Sequence, residues 1–186
     1  MNDTLRTIAA RYSCRAFDGK LPEREKLEAI AMAAIQSPSA MNLQPWKIIV
    51  ITDKPFIDEM DEDGVRTLTG RDDKSAYDRV QERGGKMFYN APCMFLIVKP
   101  TGTGFFNVDM DCGIVCENIS LAAASLGLGS VICGMAGIPF LGPNGDLFTK
   151  KAGIPDDWGF GIAVLVGYAA EPGAPHEPDK SKISFV

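Results

Sequence analysis

Apolar positions in this chain fall into helical and strand-like rhythms that alternate along its length. After Leu21-Pro22, the residues Leu27, Ile30, Ala31, Ala34 and Ile35 recur at helical spacing, predicting a helix opened by Pro22 with one face turned inward. It ends at Ser37-Pro38-Ser39, because proline disfavours helical geometry in the residue before it. Trp46 to Ile51 is rich in β-branched residues and reads as a strand closed by a turn at Thr52-Asp53-Lys54-Pro55, and Cys93 to Val98 reads as a second strand. Between them, residues 58–89 are highly charged and carry glycines at 64, 70, 84 and 85, so helices over or beside a pocket are expected there rather than core.

From Asp109 to Leu126 the pattern changes. Cys112, Val115, Cys116, Ile119, Ala122, Ala123 and Leu126 make a nearly continuous apolar stretch, with Asp111, Glu117 and Asn118 as its polar members. Such a helix is buried on most sides, and Gly127 stands where a C′ glycine turns left-handed. Ser130 to Cys133 then reads as a short strand, Gly145 to Lys151 as a short helix, and Phe160 to Val166 as a strand that is apolar throughout. This alternation predicts an α+β fold, a small sheet enclosed by helices, over residues 1–170. From Glu171 to Pro178 the chain becomes an extended proline-rich arm, regaining strand character at Ile183-Ser-Phe-Val186. A terminal strand on such an arm is suited to joining another sheet's edge, so residues 171–186 are predicted to embrace a second subunit.

Composition narrows the classes. With 186 residues, 46% of them hydrophobic and 23% charged, the chain suits one folded domain with a sizeable core. The net charge of −5 has no basic block behind it, which argues against nucleic acid as a partner. No apolar run reaches membrane-spanning length and the first residues lack a signal-peptide pattern, so no membrane association and a cytoplasmic location are expected. Five cysteines without a CxxC, mostly inside apolar runs, read as reduced core thiols rather than metal ligands.

Two polar stretches stand out from this background. In Arg11-Tyr12-Ser13-Cys14-Arg15, an extended chain would project Arg11, Ser13 and Arg15 to one side along roughly 7 Å. Guanidinium forks and a hydroxyl on one line suit a phosphate, although a solvated helix end with surface ion pairs explains the same residues. The second stretch, Ser37 to Trp46, gathers Ser39, Asn42 and Gln44, which offer donors and acceptors to the edge of a flat heterocycle; a well-capped turn is the alternative. Tyr12, Tyr77, Phe105 and Phe106 would either border a cleft or serve packing. Neither Gly127-Leu-Gly-Ser130 nor Gly134 to Pro139 completes a GxGxxG between strand and helix, so no Rossmann unit is implied.

RYSCRAF followed by SPSAMNLQPW resembles the paired N-terminal motifs of the nitroreductase family of FMN proteins, in order, spacing and flanking helix. The likeness continues through DCGIVCENISLAAASLGLGS and FGIAVLVGYAAEP, and so covers most of the chain. It implies a mostly antiparallel central sheet and a homodimer with FMN at the subunit interface. By this resemblance Arg11, Tyr12 and Ser13 hold the phosphate side and Arg15 approaches the flavin pyrimidine. Pro38, Ser39, Ala40 and Asn42 contact FMN bound mainly to the other subunit, Gln44 supports the isoalloxazine edge, and Cys133-Gly134 lines the ring. Lys180 and Lys182 stand where relatives often carry arginine to finish the phosphate site.

The activity implied is a two-electron oxidoreductase taking hydride from NADH or NADPH at flavin N5. It would work by ping-pong, with a nitroaromatic or quinone as acceptor and no protein acid or base strictly required. Neither nicotinamide cofactor is selected by the sequence. Three other readings stand beside it: a flavin-cleaving enzyme of the cobalamin lower-ligand branch, an FMN-binding module without turnover, and a structural dimer with a degraded pocket.

Overall fold

The computed structural model describes residues 1–102 and 107–186, so Phe105 and Phe106 lie outside the described residues. In chain order its elements are helix α1 (Asp3–Ala10), helix α2 (Arg24–Ile35), strand β1 (Lys47–Ile51), helices α3 (Lys54–Thr69) and α4 (Ser75–Glu82), strand β2 (Cys93–Pro100), helix α5 (Val108–Ser125), strand β3 (Gly129–Ile132), helices α6 (Gly137–Leu141) and α7 (Gly145–Lys151), and strand β4 (Trp158–Gly167). The strands form one sheet in the order β1-β2-β4-β3, and every neighbouring pair is antiparallel. The expected α+β architecture with a small antiparallel sheet is therefore what forms.

Strand alternation divides the interior into two cores. Cys93, Phe95 and Ile97 of β2 share one face with Val164 and Val166 of β4, packed under Leu27, Ile30 and Ala34 of α2 and Val115, Cys116 and Ile119 of α5. Met94, Leu96 and Val98 share the other with Ala163 and Leu165, packed against Ile57, Met60 and Leu68 of α3 and Phe140 and Phe148 of α6 and α7. Covered on both faces, β2 from Cys93 to Val98 is buried at every position, which is why it reads as a continuous apolar run. Each such Ile, Leu or Phe removed from water stabilises the fold by roughly 1.5–3 kcal/mol. A register shift between Ile97 and Val98 falls opposite Gly161, where an added Cβ would lie 2.9 Å from the Ile97 carbonyl oxygen.

Several local expectations need correction. Helix α2 starts at Arg24 with Glu23 as its N-cap, so Pro22 shapes the approach rather than the first turn. Ile35 is exposed: it is rotated about 100° from Ala34, off the narrow stripe that meets α5. The charged 58–89 segment does contribute core, because α3 buries Met60 and Leu68 together with Asp61 and Asp63. Its Gly64 lies so close to Met87 that a Cβ would meet the Met87 Cε at 2.0 Å. Helix α4 borders the same core, contributing Val80 as its buried residue with Ala76 and Tyr77 packed beside it. Ile183 to Val186 forms no strand within its own chain, where an extended segment finds no ladder, and Lys180–Lys182 is a short 3₁₀ turn.

One helix end forms as read, and the turn expected at 52–55 proves instead to open a helix. Gly127 adopts φ +74° after α5, and the Asp53 carboxylate caps α3 by accepting from the Phe56 N–H at 3.2 Å. No helix among the described residues is long and apolar enough to cross a membrane.

All five cysteines are unbridged and buried. Burial pushes the thiols of Cys93 and Cys116 up to about 12 and those of Cys112 and Cys133 up to about 11, and also raises Cys14. At a pH near 8 the thiolate needed for attack is therefore scarce. The folded protein should resist a disulfide-forming thiol reagent at that pH and yield five thiols on denaturation in urea. Rapid labelling of the native state would contradict the packing described.

Candidate functional site

Where α1 ends, the chain turns extended at Arg11 (φ −61°, ψ 136°) and joins the sheet. Ser13 forms a parallel bridge with Ser130 on the outer edge of β3, and the Cys14 N–H donates to the Ser130 carbonyl at 2.8 Å. Four residues on, Phe17 bridges Ala169. Cys14 and Phe17 point into the core, at 2% and 4% exposure, so the strand-like alternation leaves Ser13 partly exposed and Arg15 exposed. Cys14 fits only because Gly129 lacks a side chain: a Cβ there would lie 2.8 Å from both the Cys14 Cβ and Sγ.

The two arginines of this segment are electrostatically uncommitted. Among the described residues neither has a carboxylate within ion-pair distance, and Arg15 makes a single long bond, Nη1 to the Ser13 carbonyl at 3.5 Å. In a chain of net charge −5 with many exposed acids, that leaves two guanidinium groups free for an outside anion. Arg11 and Tyr12 also line a hollow of about 230 Å³ with Gly129 and Ser130. Gly173 lies against the Tyr12 ring, its absent Cβ falling 2.1 Å from Cε2, so the C-terminal arm sets out across this residue.

Further along the same edge, Ile132 and Gly134 are exposed while Cys133 is buried. The Cys133 N–H donates to the Ala163 carbonyl at 2.8 Å and its thiol turns inward, 3.9 Å from the Met87 carbonyl. Backbone and Gly134, rather than the thiol, are what this position presents outward. Beneath it, the buried Asp61 carboxylate accepts from the N–H groups of Met87 at 2.8 Å and Phe88 at 3.4 Å. Burial raises the Asp61 pKa, with those two donors opposing it. Tyr89 and Asn90 follow in left-handed geometry, φ +53° and +62°, and hold Phe17 through the Tyr89 carbonyl at 3.2 Å.

The second polar stretch forms a tight loop between α2 and β1. Residues 40–42 make a 3₁₀ turn, and Met41, Asn42 and Gln44 all have positive φ, at +51°, +54° and +48°. Ser39 Oγ accepts from the Gln44 N–H at 2.9 Å, and Gln44 Nε2 donates to Asn42 Oδ1 at 3.0 Å. The Ala40 N–H donates to Oδ1 of Asp111, a buried residue in the first turn of α5, at 3.2 Å. Pro38 and Asn42 are exposed, and Ser39 and Ala40 partly so.

The structure does not bring the two stretches together within one chain. Lys47, which ends the loop, pairs with Val98 at the Phe160 end of β4, whereas Ser130, which holds Ser13, pairs with Val166 at the other. At ordinary strand spacings these diagonal corners are about 25–30 Å apart. Lys180 and Lys182 sit on the exposed arm, where Lys182 pairs with Asp179 at 3.8 Å. Tyr77 packs against the core cluster beside α3. Asp61, Tyr89-Asn90 and Gly129 went unseen in the sequence; Asp111 did show there, with Glu117 and Asn118, as a polar member of an apolar helix.

Residues 8–168 match the model of the nitroreductase family. The fold superposes with a TM-score of 0.96 on a nitroreductase with bound FMN from Desulfitobacterium hafniense, at 46% identity over 100% of this chain and 99% of that one. A nitroreductase with bound FMN from Bacteroides fragilis aligns at a TM-score of 0.86 and 28% identity over 100% of both chains. A protein of Archaeoglobus fulgidus described as an NADH dehydrogenase/NAD(P)H nitroreductase is 32% identical over 73% of this chain and 69% of its own length.

Gly129→Ala tests how the cationic segment is held. The added methyl collides with Cys14, so the variant should lose about 1–3 kcal/mol in urea unfolding. Unchanged stability would mean that the segment does not depend on this close approach.

Proposed function

The chain belongs to the nitroreductase family, and on that premise we propose that it is an FMN-dependent NAD(P)H oxidoreductase that acts as a homodimer by a ping-pong cycle. The observation that carries this reading is the uncommitted pair Arg11 and Arg15 flanking a Ser13 that is pinned to the edge of β3. A phosphate needs fixed positive charge and donors, and this segment offers both without first breaking an internal ion pair. Bound FMN would supply two-electron chemistry at N5, taking hydride from NADH or NADPH and passing it to a small acceptor such as a nitroaromatic or quinone.

The chain's own residues would bind and tune it. Arg11, Tyr12 and Ser13 take the phosphate side. Arg15, placed near the pyrimidine edge, would stabilise the negative charge that reduction puts there and so raise the reduction potential. The bare Gly134 edge next to Cys133 admits a flat ring close to backbone. Proton delivery needs no dedicated protein acid, so the chain's work is position, electrostatics and restricted access.

The diagonal separation of the two motifs favours two copies per site. Pro38, Ser39, Ala40, Asn42 and Gln44 would reach the flavin of the other copy, and Lys180 or Lys182 would complete its phosphate site from the arm. Exposed apolar side chains support a covered surface: Leu5 and Ile8 on α1, Ile35 on α2, Met41 in the loop and Met110 on α5. The outer edge of β1 has no strand beside it among the described residues, and hollows of about 590 and 390 Å³ run along it. Ile183 and Phe185, both exposed, have the alternation to pair there from a second copy. Residues 1–170 are thus the proposed FMN-binding domain and 171–186 the exchanged arm. A cytoplasmic setting would keep the five thiols reduced.

The purified protein should be a yellow dimer that releases FMN on denaturation and loses it in the Arg11→Ala/Arg15→Ala variant. Mixed anaerobically with NADH or NADPH it should bleach, then recolour with a quinone. Colourless protein that refuses FMN would overturn the reading, and colour that never bleaches would reduce it to a binding module. Removing residues 172–186 should yield monomers with weakened flavin binding, measured by light scattering and flavin fluorescence.

A further inference from the structure

We propose that Asp111 is a positioning residue: it holds the 39–44 loop, with its left-handed Met41, Asn42 and Gln44, and so governs, across the subunit boundary, the flavin bound by the other copy's Arg11, Ser13 and Arg15. This inference rests on the proposed function, because it concerns the loop through which one copy would reach its partner's cofactor.

The loop is strained and largely self-contained. Met41, Asn42 and Gln44 hold positive φ, a conformation asparagine tolerates but Met and Gln rarely adopt unless their surroundings impose it. Its internal bonds, Ser39 to Gln44 and Gln44 to Asn42, fix its shape but attach it to nothing. Among the described residues, the hydrogen bond that ties residues 38–45 to another element is the one from the Ala40 N–H to Asp111 Oδ1. Trp46 anchors the exit by burial.

Asp111 is an expensive residue at this place. It is 3% exposed, in a helix otherwise apolar on most sides, and its buried Oδ2 has no partner among the described residues. Ser37 Oγ, at the entry to the same loop, is also buried and has no partner among the described residues. Packing alone would be served better by an apolar side chain, since a buried carboxylate with one bond keeps much of its desolvation cost. Its place in the first turn of α5, where the helix dipole favours negative charge, offsets part of that cost. What the remaining cost secures is the Ala40 N–H, and through it the register of the loop.

Three variants test this: Asp111→Ala, Asp111→Asn and Ala40→Pro. Asparagine keeps an acceptor for the Ala40 N–H, so Asp111→Asn should bind FMN within about threefold of wild type. Asp111→Ala should bind about ten- to a hundredfold more weakly while remaining dimeric. Ala40→Pro removes the donor from the other side, and Ser39, at φ −141° and ψ 160°, already has the backbone a following proline requires. If the two groups act through one bond, Ala40→Pro combined with Asp111→Ala should weaken FMN binding little more than either change alone; additive losses would overturn the proposal.

Mixed dimers give the decisive readout. Pairing an Arg11→Ala/Arg15→Ala chain with an Asp111→Ala chain puts both defects in one site and leaves the other intact, so one FMN per dimer should bind with wild-type affinity. If Asp111 acted within its own chain's site, or only through folding, both sites would be damaged and no tight FMN would bind. Should Asp111→Ala fail to fold, Ala40→Pro takes its place in the mixture with the same two outcomes. Wild-type protein that takes up no FMN would sink the proposed function itself, whereas wild-type binding with an unaffected Asp111→Ala would sink this inference alone.

Discussion

The constraint behind this molecule is the fixed spacing of its hydrogen-bonded ladder. In the order β1-β2-β4-β3, three strand intervals separate β1 from β3, and the Ser13 segment adds a further one beyond β3. Antiparallel pairing then sends the start of β1 and the start of β3 to opposite ends. No side-chain rearrangement moves the 38–44 loop next to Arg15 without dismantling the sheet that carries both. The same ladder makes each half dependable, because β2 and β4 are buried between two apolar cores and give the edges little freedom to shift.

Around that rigid middle, strain and uncommitted charge gather at the margins. Left-handed residues other than glycine occur at 41, 42 and 44 in the loop, at 89 and 90 under Phe17, and at Asn107 before α5. Two of these three groups border the proposed flavin contacts, and a buried aspartate supports each of those two: Asp111 through Ala40, and Asp61 through Met87 and Phe88. Local sequence preference and final geometry disagree in such places, and the disagreement is sustained by the surrounding core. The arginines show the same economy in electrostatic form, since ion pairs that would satisfy them internally are absent among the described residues.

Elements whose rhythm was simple were legible beforehand. Strand β2, the buried α5 with its Gly127 terminus, and the short α7 formed where periodicity and turn residues put them. Helix α3 was misjudged because its many acids and Gly64 hide an inward stripe of Met60, Gly64 and Leu68; Asp61 and Asp63 lie inside with it, satisfied in part by Met87, Phe88 and Asn144. The alternation at Arg11, Ser13 and Arg15 was readable because an extended segment has period two. Cys133, expected among the core thiols, does turn its thiol inward, where its N–H pairs with Ala163 of β4. The separation of the two motifs lay beyond reach, because strand order is a long-range property that neighbouring residues do not encode.

In the proposed assembly, cofactor and partner become thermodynamically linked. A flavin touching Arg11 and Arg15 of one copy and Ser39 and Asn42 of the other binds the dimer better than the separated chains, so it draws copies together. Linkage is reciprocal: whatever factor the second copy adds to flavin affinity, the flavin returns to the dimer. The exposed apolar residues of α1, α2 and the loop would supply the partner-to-partner term that does not depend on cofactor. The unneutralised guanidinium groups would find their counter-charge only when cofactor is present. A chain built this way keeps its sheet stable alone and its chemistry contingent on assembly, which explains how a well-packed fold can carry so much unsatisfied polarity at two of its corners.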